Sequence, residues 1–271
     1  MQAIVADARY GAAEKERALF HVIELQSIAM QWQAAIGAAK TFLTDYAASP
    51  LAPQVRQFHG NALLQLPAED PVARLKNIDE AVAILNALRE DIVNGKVAKE
   101  DWHDRVWVVL AQAALARENY DQIDQIQAQL ATRSPESLFA FQLNDLQGQR
   151  WKQQAPPDFE KARKYFQLVT GDPQAAGTET AARCQFLLAE TYRMQSELET
   201  AAKEYFKVYF NYVGYNELRA QALFQVASCE TVLMENESAI RDFKELIREF
   251  PTSSLVKDAT EQLKKLEGTA P

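Results

Sequence analysis

The chain has 271 residues, 48% hydrophobic and 24% charged, enough to build the core of one large or two ordinary domains. Its net charge of −8 and pI of about 5.1 argue against a nucleic-acid or anionic-lipid binder, because no basic run concentrates a countercharge. Glycine is scarce, 9 in 271, which disfavours a sheet-rich fold with its tight turns, and the longest near-apolar run, Val106 to Ala116, falls far short of the ~20 residues of a membrane helix.

Met1 to Arg17 carries no apolar stretch of the kind a secretory leader needs. The expectation is a cytoplasmic chain, or a periplasmic or cell-envelope one if a leader has been removed. Ala35, Ala39, Phe42 and Tyr46 then read as the second helix of a hairpin, with SPLAP from Ser49 as its exit. Phe58, Leu63 and Leu64 read as the next first helix. Ala81 to Leu88 reads as its mate, reached by a longer linker around Pro67 to Pro71, with Asp70 capping before Pro71. Asn94-Gly95 alone suits a hairpin turn, but helical patterns on both sides favour a helix C-cap.

From Asp104 the pattern sharpens. Ala111, Ile123, Leu130 and Pro135 are spaced by 12, 7 and 5 residues, as are Ala227, Ala239, Leu246 and Pro251. Asn119 with Gln122, and Ser196 with Glu199, resemble capping boxes, and Ser134 stands where it would cap a helix starting at Pro135. Between Ser137 and Pro173 a first helix around Leu138 to Gln149 is followed by a loop with Pro156 and Pro157. A second helix there carries Ala162, Phe166 and Val169. Beyond it the chain repeats at an offset of 38: Phe186 falls on Phe224, Ala189 on Ala227, Ala201 on Ala239, Tyr205 on Phe243, Val208 on Leu246 and Tyr212 on Phe250. A last helix, Leu255 to Leu266, has one apolar stripe and an outer face with Lys257, Asp258, Lys264 and Lys265. The expected fold is all-α: about six antiparallel helix hairpins in one domain over 1–271, divergent over 1–103 and clearer over 104–271, closed by a capping helix.

A small residue in the first helix, Ala in the second, an aromatic four later and Pro at the exit resemble the tetratricopeptide repeat, on Ala227, Ala239, Phe243 and Pro251. Ala111, Ile123 and Pro135 carry a weaker version, and Ala189, Ala201 and Tyr205 one without the proline. The exit phrase REFPTSSLVKDA, Arg248 to Ala259, is similar to bacterial cell-envelope members of that family. The resemblance implies a right-handed α-solenoid whose concave groove receives a protein or peptide segment. On the matching first-helix positions it implies a partner-binding face of Arg105, Val108 and Gln112; of Arg183, Phe186, Glu190 and Arg193; and of Gln221, Phe224, Ser228 and Thr231. Phe186 with Glu190, and Phe224 with Ser228, have the wrong chemistry for the carboxylate clamp of one branch of the family. A scaffold or adaptor without catalytic residues or cofactor is expected. The alternatives are an enzyme on an α/α-toroid, which would lack the repeat signature, and a structural subunit buried permanently in a complex.

No other chemistry rises above that reading. His21, His59 and His103 have no ligand spacing, so no metal is expected. Cys184 and Cys229 are out of register with each other in the 38-residue repeat, which predicts two free, mostly buried thiols. The cluster Tyr205, Phe206, Tyr209, Phe210, Tyr212 and Tyr215 reads mainly as packing, with an aromatic wall for a partner as the alternative, and Trp102, His103 and Trp107 pose the same choice.

Overall fold

In a computed structural model, residues 11–268 are described. They form thirteen α-helices and one 3-10 turn, with no strand among the described residues. Two compact units divide between Phe139 and Ala140. The first contains α1 (Ala12–Ile28), α2 (Trp32–Asp45), α3 (Ala52–Gln65), α4 (Pro71–Val93), the 3-10 turn Asp101–Asp104, α5 (Arg105–Ala116) and α6 (Tyr120–Arg133). The second contains α7 (Ala140–Gln153), α8 (Phe159–Thr170), α9 (Glu179–Met194), α10 (Leu198–Asn211), α11 (Asn216–Val232), α12 (Asn236–Glu249) and α13 (Val256–Gly268). Within each unit every helix packs on the next, and the first helices of successive hairpins also touch: α1 on α3 and α3 on α5, α7 on α9 and α9 on α11. Six hairpins and a last helix match the repeat count read from the sequence. None of these helices is long and apolar enough to cross a membrane.

Four hairpins follow one plan. In α1/α2, α5/α6, α9/α10 and α11/α12 the second helix has 14 residues and a three-residue connection. The middle residue of each connection is left-handed: Met30 (φ 56°), Glu118 (φ 56°), Ser196 (φ 63°) and Met234 (φ 62°). That conformation turns the chain so that the residue's own amide and the next one donate back into the first helix. In the last hairpin Met234 N–H reaches Thr231 O and Glu235 N–H reaches Glu230 O, at 3.2 and 2.9 Å. Exit loops repeat as well. Ser49, Ser137 and Ser253 each accept, on the side-chain oxygen, the amide two residues on, at 3.0–3.3 Å, and so hold the start of the following helix.

This plan corrects two expected caps. Ser196 is the left-handed turn residue rather than a cap, and α10 starts after Glu197 with no side-chain cap. Ser134 closes α6 instead of opening a helix: its amide reaches Leu130 O, its hydroxyl donates to Asp104 at 3.0 Å, and Pro135 lies in the loop. Asp70 and Asn119 do cap, through Val72 N–H and Gln122 N–H. Gly95, at φ 71°, follows the C-cap of α4 and allows Lys96 N–H to reach Asp91 O.

Small residues sit where the helices of a hairpin cross. Ala189, Ala201, Ala227 and Ala239 are fully buried, and so are the aromatics Tyr205 and Phe243 four positions on. In the first hairpin the volumes are exchanged. Ile23 occupies the place of Ala227, Ala39 that of Phe243, and both are fully buried. The α13 stripe of Ala259 and Leu266 closes the core of the last hairpin, with Leu255, Val256 and Leu263 beside it, while Lys257, Asp258, Lys264 and Lys265 are exposed.

Candidate functional site

The face with the most repeated surface chemistry lies in the second unit, on the first helices α7, α9 and α11. Arg183, Phe186, Glu190 and Arg193 follow one another at steps of 3, 4 and 3 residues along α9, and Gln221, Phe224, Ser228 and Thr231 at the same steps along α11. Such steps keep each row on one side of its helix.

Two ion pairs of opposite polarity tie α7 to α9. Arg183 pairs with Asp145 at 2.5 Å, and seven residues further on Glu190 pairs with Lys152 at 2.6 Å. Asp145 is 2% exposed and also accepts from Gln149 Nε2 at 2.8 Å and Cys184 Sγ at 3.4 Å. This network compensates a carboxylate that burial alone would make costly. Burial, with the Asp145 charge behind it, pushes the Cys184 thiol well above its ordinary range, so it stays protonated. Cys229 is buried too, and both thiols are free.

Phe186 and Phe224 are half-buried at equivalent places. Each meets the buried aromatic of its own hairpin edge-on. Phe186 and Tyr205 have centroids 5.0 Å apart at 62°, and Phe224 and Phe243 5.6 Å apart at 68°. One part of each ring thus belongs to the core and another remains at the surface. Along α11 the hydroxyls of Ser228 and Thr231 donate to the carbonyls of Phe224 and Ala227, at 2.7 and 2.8 Å, and so face their own helix.

The remaining expected residues lie in the first unit. Arg105 is exposed, its guanidinium 5.6 Å from the Phe139 ring, and Gln112 is half-buried. Val108 is 1% exposed and is a core residue, not a partner-facing one. The reason is local. Every residue from Val106 to Leu110 is buried, so α5 is covered around most of its circumference and offers little free face there. Trp107 and His103 are likewise buried and Trp102 half-buried. Burial lowers the His103 pKa, as it does that of His59.

Two features had little or no signal in the sequence. The aromatic cluster divides: Tyr205 and Tyr209 are core, whereas Phe210 is 65% exposed and stacked on Phe206 at 5.8 Å. With Leu223, Arg241 and Glu245 these rings border a cleft of about 320 Å³. Cluster density marked the region without separating its buried rings from its exposed ones. Glu230 and Asp242, the second feature, are buried carboxylates facing each other across α11 and α12. Burial, and then the Asp242 charge, push the Glu230 carboxyl up to about 7. Their spacing matches no motif, and in the 38-residue register they replace Tyr192 and Glu204.

No protein-family model matches the chain, and no curated protein matches it.

Proposed function

We propose that the chain is a non-catalytic scaffold of the tetratricopeptide type. Its hairpins stack as a right-handed solenoid, and the first-helix face of the second unit holds an extended or helical segment of a partner protein. The observation that supports this reading is the repetition of Phe186 and Phe224. Two aromatic rings stand at the same repeat position, each with one part anchored in the core and another at the surface, Phe186 on a row with the charged residues Arg183, Glu190 and Arg193 and Phe224 on a row with the polar Gln221, Ser228 and Thr231. Anchored aromatics with a polar rim are the usual energetic centre of a protein interface. The ion pairs that tie α7 to α9 hold two of the face's helices in fixed register, which lowers the ordering cost of binding.

The test is capture from envelope and cytosolic extracts of the source cell by the purified chain, and by the chain carrying Phe186→Glu and Phe224→Glu. The expected result is one stoichiometric protein, bound by the native chain and lost with the double variant at unchanged helicity. The extract that supplies it identifies the compartment; the family resemblance of the exit phrase favours the envelope. Capture that survives the double substitution, or no capture from either extract, would overturn the proposal.

A further inference from the structure

A second site stands apart from that face. In the first unit the last turns of α4 and α6, over the buried Trp107 of α5, border an open cleft of about 670 Å³, within the ~300–1,000 Å³ range of small-molecule sites. Val93, Trp107 and Ala128 give it apolar walls; Arg89, Arg133 and Glu90 bring charge to its lining.

The arginines distinguish this pocket from an ordinary packing defect. Elsewhere most guanidiniums have a carboxylate: Arg56 has Asp91, Arg117 has Asp79, Arg183 has Asp145 and Arg219 has Glu249. Arg89 and Arg133 have none among the described residues. Arg89 reaches only Gln129 Oε1, at 3.5 Å, and Arg133 lies over the Trp107 ring at 5.2 Å. In a chain of net charge −8, two unpaired guanidiniums at one apolar pocket leave a local positive excess that Glu90 offsets only once. The buried indole N–H of Trp107 also has no acceptor among the described residues, an orphaned donor on a residue that lines the pocket. Arg133 is in the last turn of α6, where a cation offsets the negative end of the helix. That role explains neither Arg89 nor the apolar space.

We propose that this cleft binds a small amphipathic carboxylate, its head group met by Arg89 and Arg133 and its apolar body laid against Val93 and Ala128, above the buried Trp107. Guanidiniums bind carboxylates through paired N–H donors, and Val93, 61% exposed, leaves apolar surface free to meet the body of such a ligand. The pocket lies outside the face assigned to the protein partner, so the two readings stand or fall separately.

Calorimetric titration of the full chain with 2-naphthoate tests it, with 2-naphthamide as the neutral isostere. Saturable 1:1 binding of the naphthoate is expected, with the amide at least about tenfold weaker and Arg89→Gln weakening the naphthoate by about tenfold or more. Arg133→Gln should do the same. Because Arg133 also covers Trp107, Arg89→Gln carries the test if that variant loses its helical spectrum. Absence of saturable binding, equal binding of acid and amide, or a natively folded Arg89→Gln chain that binds like the parent would each overturn the proposal.

Discussion

In α11/α12 the two helices meet through Ala227 and Ala239, with Phe243 filling the space one turn further on. In α7/α8 they meet through Gly148 and Ala162, with Phe166 in the place of Phe243. A Cβ built on Gly148 would lie 2.4 Å from the Phe166 ring, so the ring occupies the space that a side chain would take. The hairpin α3/α4 follows the second pattern, with Gly60, Ala81 and Leu85, and a Cβ on Gly60 would lie 2.6 Å from Leu85. These two hairpins are joined by the five-residue loops 66–70 and 154–158, whereas the other four have three-residue connections with a left-handed middle residue. Connection and crossing vary together. A short left-handed turn goes with alanine on both helices in α9/α10 and α11/α12, with Ala111 and Ile123 in α5/α6, and with the exchanged pair Ile23 and Ala39 in the first hairpin. A longer loop goes with glycine and a closer approach.

The strongest way to break this comparison is to remove the aromatic that fills the regular crossing. Phe243 is 1% exposed, and Phe243→Ala is expected to cost about 3–5 kcal/mol, the range for deleting a buried aromatic. A urea titration followed by far-UV circular dichroism reads this directly. An unchanged midpoint would mean that Phe243 does not fill the crossing, and the equivalence of Phe243, Tyr205 and Phe166 would fail with it.

The glycine crossing makes the reverse prediction. Gly148→Ala is expected to destabilise by about 1–3 kcal/mol through overpacking against Phe166, although alanine is the better helix former. The chain with both Gly148→Ala and Phe166→Leu should recover part of that loss, because the ring no longer occupies the space of the added Cβ. A stabilised single variant would show that the ring gives way freely and that glycine is incidental at this crossing.

These two hairpins also show how far the sequence was legible. The second-helix residues Ala162, Phe166, Ala201, Tyr205, Ala239 and Phe243 announced themselves, because a buried stripe must recur with the helical period. Gly60 and Gly148 did not, since the second-helix alanines of their crossings, Ala81 and Ala162, lie 21 and 14 positions on across longer loops, not the 12 positions that mark the regular units. Repeat position places Val108 at the surface, but it does not report how many neighbours cover a helix, and Val108 is buried. Phe186 and Phe224 were legible as equivalent positions, but their division between core and surface depends on the edge-on contacts with Tyr205 and Phe243. Arg89, Trp107 and Arg133 meet only through the folding of three helices, and no local spacing announces such a pocket.

The smallest effect tests the turn itself. A left-handed conformation is strained for any residue with a Cβ, and glycine is the usual solution. None of the four connections uses it: Met30, Glu118, Ser196 and Met234 occupy the position instead. Met234 is 82% exposed at φ 62°, so replacing it removes little packing. Met234→Gly should therefore relieve strain with little loss, partly offset by the greater freedom glycine gives the unfolded chain, for a net gain of about 0.5–1 kcal/mol. Thermal unfolding at fixed pH would show it as a small rise in midpoint, and the same change at Ser196 should act alike. A fall at Met234 would mean that its side chain holds the turn through contacts, and the αL residue would then be a selected anchor and not a tolerated cost of the three-residue connection.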